Sequence, residues 1–165
     1  MNGVRPGADD SKALYWSILL ATLAIFLLST LGFDGSARGP DYNLIPMRRI
    51  LHQGSCLLTG CEQPPHPFFF ALNLIGNALI LAPLGFSLFH LTENKGLSRR
   101  QRIWLGLLVG LILALGVETM QLLHPGRFSD IDDVLLNGSG ALLGAWLASR
   151  QNQGWCLARA VARKR

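Results

Sequence analysis

The chain has 165 residues, half of them apolar, and 15 Lys and Arg against 10 Asp and Glu give it a formal charge of +5. The apolar residues lie in long blocks with the charges pushed between them, which excludes an ordinary soluble core and indicates a membrane protein. The basic balance then reflects asymmetric topology, and no nucleic-acid partner is expected.

Residues 1–165 are expected to form one domain: an all-α, integral-membrane four-helix bundle. A spanning helix needs about 20 mostly apolar residues. Ala13–Phe33 meets this without a charge. A cleaved signal peptide with Gly35-Ser36-Ala37 as its cleavage site is the alternative, but the apolar core is long for one, so a retained helix is expected. The second predicted span, Phe68–Leu91, carries Asn73, Asn77, Pro83 and His90, and Pro83 with Gly85 should bend its later half. The third, Ile103–Leu123, contains Glu118. The fourth, about 131–149, is short, with only Val134–Ser149 free of charge between Asp133 and Arg150.

Basic residues set the orientation. The two tails and the second loop hold eleven Lys and Arg, from Arg5 and Lys12 through Lys95, Arg99, Arg100 and Arg102 to Arg165; the other two loops hold four, Arg38, Arg48, Arg49 and Arg127. Both termini should therefore be cytoplasmic. Trp16, Trp104 and Trp146 fall at the cytoplasmic ends of their spans, where amphipathic rings anchor well. Asp34–Pro67 becomes a long extracytoplasmic first loop. Cys56 and Cys61 within it can pair if the compartment is oxidising, whereas Cys156 stays reduced. Leu44–Leu51 (LIPMRRIL) fits either an interfacial segment or a solvated loop.

Polar residues converge on one depth. Asn73 and Glu118 each lie five residues in from the outer ends of their helices, roughly 7–8 Å below the boundary. Asn77 shares a face with Asn73, and Gln121 with Glu118. Asp130, Asp133 and Asn137 form one stripe on the fourth helix, with Asp132 pointing elsewhere, and Arg127 sits in the loop before it. A carboxylate inside a span costs at least ~2.5–3.5 kcal/mol unless it is paired, protonated or wet, so Glu118 should face inward, with Arg127 or the two Asn as partners. A plain structural reading competes. Ser129 with Asp132 resembles a capping box, and acidic residues suit a helix start. Gly106-xxx-Gly110 and Gly140-xxx-Gly144 are spacings that let helices pair, within the chain or with a second copy. The His residues show no HxxxH or HExxH spacing and the Cys no CxxC, so no metal site is expected. No cofactor is assigned. The DxDD string at Asp130–Asp133 is a chance match to a cyclase motif.

NLIP (Asn43–Pro46), NLIGNALILAPLG (Asn73–Gly85), VETMQ (Val117–Gln121) and GRFSDIDDVLLNGSGALLG (Gly126–Gly144) resemble, in order and spacing, the sequence blocks of VanZ-like membrane proteins. The resemblance covers about Asn43 to Trp146. It implies a small multi-pass protein of the bacterial inner membrane, in a family whose founding member is associated with low-level resistance to the glycopeptide teicoplanin. The family's polar positions correspond here to Asn43, Asn73, Asn77, Glu118, Gln121, Arg127, Asp130, Asp133 and Asn137. Cys56, Cys61 and Met47-Arg48-Arg49 are not part of the pattern.

The expected function is an outward-facing polar pocket for the headgroup of a membrane lipid or a lipid-linked cell-wall precursor. Asn73, Asn77, Gln121, Arg127, Asp130, Asp133 and Asn137 would bind it, and Glu118 would be partner or proton acceptor. The alternatives are a membrane enzyme on a lipid-linked phosphate, with Glu118 as general acid or base and Asp130 and Asp133 holding Mg²⁺, and an assembly or transport subunit, including a homo-oligomer, that pairs through its GxxxG faces.

Overall fold

The computed structural model describes residues 8–31, 41–123 and 128–162, with side chains over 10–29, 42–123 and 128–151. Arg127, Gly35-Ser36-Ala37 and the side chain of Cys156 lie outside the described residues. The described chain forms α1 (Ala8–Leu31), β1 (Asp41–Asn43), α2 (Arg48–Thr59), α3 (Pro67–Ile80), α4 (Ala82–Leu91), α5 (Arg99–Leu122), β2 (Phe128–Asp130) and α6 (Ile131–Ala162). Three stretches, Asp10–Ser29, Pro67–Leu91 and Arg99–Leu122, are long and apolar enough to cross a membrane. The stretch predicted as a fourth span is not among them. Its uncharged part, Val134–Ser149, is shorter than the roughly 20 residues a crossing needs.

Four differences from the sequence reading have physical causes. The all-α expectation is corrected by a small parallel sheet, in which Asp41, Tyr42 and Asn43 pair with Phe128, Ser129 and Asp130. Three-residue strands are too short to leave a periodic signal. The predicted helix Phe68–Leu91 is two helices that meet at Leu81 (φ −95°, ψ 3°). Pro83, near the start of α4, has no N–H to bond back to Leu79, so the helix restarts there. Leu44–Leu51 leads into α2, so the first loop carries a helix, and its Leu51 and Leu58 stay exposed. Finally, α6 runs past the predicted span end at Ser149 to Ala162, because the charge of Arg150 ends an apolar stretch without interrupting a helix's backbone hydrogen bonds.

The helices pack chiefly on α6, with α3, α4 and α5 against it and α1 on α4. Ala141, Ala145 and Ala148 are fully buried there, beside Leu81, Leu84, Phe89 and Ala114, and Phe26 of α1 closes the far side. Small residues permit this closeness. A Cβ built on Gly85 would lie 1.9 Å from the Ala141 carbonyl oxygen, and one on Gly144 only 1.8 Å from that of Ala82. Gly106 and Gly110 face the Cβ atoms of Ala145 and Ala141 in the same way. Both GxxxG stripes are thus filled by contacts within the chain, and pairing with a second copy would need another face.

Gly144→Ala should therefore destabilise the fold by about 3 kcal/mol, since a backbone carbonyl must move to admit the methyl. Gly116→Ala, with nothing within 4 Å of the new Cβ, should be neutral or stabilising. Thermal unfolding of both variants in detergent checks the contrast, and equal losses would refute the packing.

Candidate functional site

The polar residues gather where α5 ends, β2 passes and α6 begins. Asn43 and Asp130 are register partners in the parallel sheet, so their side chains leave the same face. The Asn43 amide donates to Asp130 Oδ1 at 2.9 Å, and the Arg49 guanidinium donates to Oδ2 at 3.1 Å. Arg49, 35% exposed, also lies over the Phe128 ring at 4.8 Å. Asp130 Oδ1 further accepts the Asp132 N–H at 3.0 Å, which is how an N-cap side chain satisfies the second residue of a helix. Asp130, fully buried, therefore caps α6 itself.

Asp132 faces away from the stripe, toward α2. Its carboxylate accepts the N–H of Met47 and, at 3.4 Å, that of Ile50. These are donors a helix start leaves unsatisfied, and α2 has no side-chain cap of its own. Met47 is left-handed (φ 64°), a conformation that costs a non-glycine residue about 1–3 kcal/mol. The hydrogen bond from its N–H helps hold it there.

Glu118 is buried and faces inward, but its partner is neither of the two Asn. Its Oε2 accepts the Asp130 N–H at 2.7 Å. The Gln121 amide, with its nitrogen turned to the adjacent acceptors, donates to the same oxygen at 3.2 Å and to the Phe128 carbonyl at 3.3 Å. Glu118 and Gln121 therefore fasten β2 to the end of α5. Asn77 donates to Asp133 Oδ1 at 2.6 Å and lies 3.4 Å from Asn73 Oδ1. Asn137 donates to the Asp133 carbonyl at 2.8 Å, and its own Oδ1 is buried without a partner.

A narrow cleft opens among Arg49, Asn73, Asp130, Asp132 and Asp133, walled by Phe70 and Leu136. Its volume is about 10 Å³, about enough for one water molecule. Three carboxylates against one guanidinium give it a negative lining. Asn77, Glu118, Gln121 and Asn137 lie behind that lining. The predicted residues thus divide into Asn73, Asp130 and Asp133 at the cleft and a supporting layer beneath. The single Asp130–Asp133–Asn137 helical stripe is corrected, because Asp130 belongs to β2. The Ser129–Asp132 capping box is replaced by Asp130 acting as cap. Arg49 was not predicted as a site residue. It lies 81 residues from Asp130, a distance at which local pattern carries no signal. Among the described residues, no three His, Cys, Asp or Glu side chains converge as a metal cage. At the far end of α2, Cys56 and Cys61 are free thiols, and hydrogen bonding to Cys61 pushes the Cys56 thiol up from its ordinary value.

Asp132→Ala should release α2, because two N–H groups at its start lose their acceptor, a loss of about 1–3 kcal/mol. Hydrogen exchange over residues 47–52 should accelerate by at least about fivefold, with α5 unchanged. Unaltered exchange would show that α2 is held by other contacts.

The profile of the VanZ/LLP1 family matches residues 13–152, most of the chain, which therefore belongs to that family. No curated protein and no solved structure matches it.

Proposed function

We propose that this member of the VanZ/LLP1 family is a multi-pass protein of the bacterial inner membrane, with both termini cytoplasmic, that binds a polar headgroup at its outer face. The loop charges support the orientation, which makes α6 the fourth crossing: the helix continues to Ala162, and the carboxylates of its first turn are bonded to α2 and α3. The headgroup would belong to a membrane lipid or a lipid-linked wall precursor, and a link to glycopeptide resistance would run through the second. One observation carries this reading: Arg49, Asn73 and Asp133 meet at a cleft that is backed by a hydrogen-bonded polar layer, in which Asn77 holds Asp133 and Glu118 and Gln121 hold β2. Such a layer fixes side chains for recognition.

The lining suggests which headgroup. Arg49 gives one nitrogen to Asp130 and keeps the rest of its donors for a phosphate oxygen. Asp133, half-buried at the cleft, favours an ammonium beside it. A headgroup that carries both charges suits the pair better than a purely anionic one. At its present width the cleft admits little more than water, so the headgroup engages its mouth, where Asn73 is exposed and Arg49 and Asp133 are half-buried. Glu118 stands behind the lining, so binding rather than acid–base chemistry is the function proposed.

Mass spectrometry of lipids that copurify with the protein should find a species with both phosphate and ammonium enriched. Arg49→Gln and Asp133→Asn should each reduce it about tenfold, the equivalent of one charged hydrogen bond. Identical lipid profiles in wild type and both variants would defeat the proposal.

A further inference from the structure

At the opposite end of α5, a shallow, open groove runs along the first turns of the helix past Leu97, Ser98, Arg100, Gln101, Trp104 and Leu108. We infer that this groove binds an anionic phospholipid, with the phosphate at Arg100 and an acyl chain along Trp104 and Leu108. It is separate from the acidic cleft and does not depend on the function proposed for that cleft.

The arginines around it differ in how they are used. Arg99 donates to Ser149 Oγ at 3.0 Å, Arg102 to the Phe89 carbonyl at 3.3 Å while lying 4.1 Å over the Phe89 ring, and Arg150 lies 5.1 Å over Trp146. Arg100, at the groove mouth, is exposed and has no hydrogen bond or ion pair among the described residues. The other polar residues of the lining are donors too. Ser98 and Gln101 bind each other's backbone N–H in a capping box, which leaves the Ser98 hydroxyl hydrogen and the Gln101 NH₂ available. No carboxylate lines the groove. The first turn of α5 has no acidic residue, so its arginines stand against the helix dipole, and an anion there would offset the conflict.

The lower half of the groove suits hydrocarbon. Trp104 is 53% exposed and Leu108 55%. Four and eight residues beyond Arg100, they lie about 6 and 12 Å further along the helix. Arg100 and Trp104 mark the interface, and Leu108 lies within the apolar stretch Arg99–Leu122. A free phosphate would use only the top of this surface, whereas a phospholipid uses all of it.

Full-length protein in micelles with equal dioleoyl phosphatidylglycerol and phosphatidylcholine, examined by native mass spectrometry, tests the inference. Phosphatidylglycerol should be retained about fivefold over phosphatidylcholine, the effect of one arginine near an anionic surface. Arg100→Gln should abolish the preference, Trp104→Ala should weaken retention of both lipids, and Arg150→Gln, outside the groove, should leave both unchanged. Equal retention of the two lipids by the wild type would overturn the inference. So would a preference that survives Arg100→Gln, or release of the bound lipid by millimolar glycerol phosphate, which would indicate a soluble-anion site instead.

Discussion

Two carboxylates two residues apart, those of Asp130 and Asp132, hold the first connecting segment to the helices. Asp130 accepts from Asn43, Arg49 and the Asp132 N–H, and Asp132 accepts from two N–H groups at the start of α2. Both are buried, and a buried carboxylate is tolerable only when its oxygens are filled. The oxygens are filled by groups from β1 and α2, so neither segment can leave without exposing a charge to an apolar surrounding. The cleft, the small sheet and the position of Arg49 all follow from this constraint.

The same constraint separates support from surface. Glu118 and Gln121 hold β2, Asn77 holds Asp133, and Asn137 reaches back to the Asp133 carbonyl. Each is polar because its neighbour is, and each lies behind the cleft. Polar residues in apolar helices thus mark the whole network, of which only the outer members can touch a ligand. The two ends of α5 then contrast in kind. One adjoins carboxylates that are already paired, and the other begins with cations and unused donors.

Much of the helical layout was legible from apolar blocks, because a block of about 20 residues admits few alternatives. The break at Leu81 was legible as a bend at Pro83, since a missing N–H has a local effect. The polar cluster was legible as a depth: i and i+4 spacing placed Asn73 beside Asn77, and Glu118 was read as inward-facing. Its pairings were not. Glu118 is expected to pair with Arg127 or the two Asn; Arg127 lies outside the described residues, and the donors found are the Asp130 N–H, brought by a strand too short to predict, and the Gln121 amide. Asp132, which reads locally as part of a capping box, caps a different helix 82 residues away. Long-range pairing depends on chain return, and the sequence near either partner does not encode it.

A double-mutant cycle on Asn43 and Asp130 tests the hub most directly. Unfolding free energies of Asn43→Ala, Asp130→Ala and the double variant should reveal a coupling of at least about 1 kcal/mol, as expected for a buried hydrogen bond to a charged group. Strictly additive losses would mean that β1 and the start of α6 are held independently, and would contradict the account.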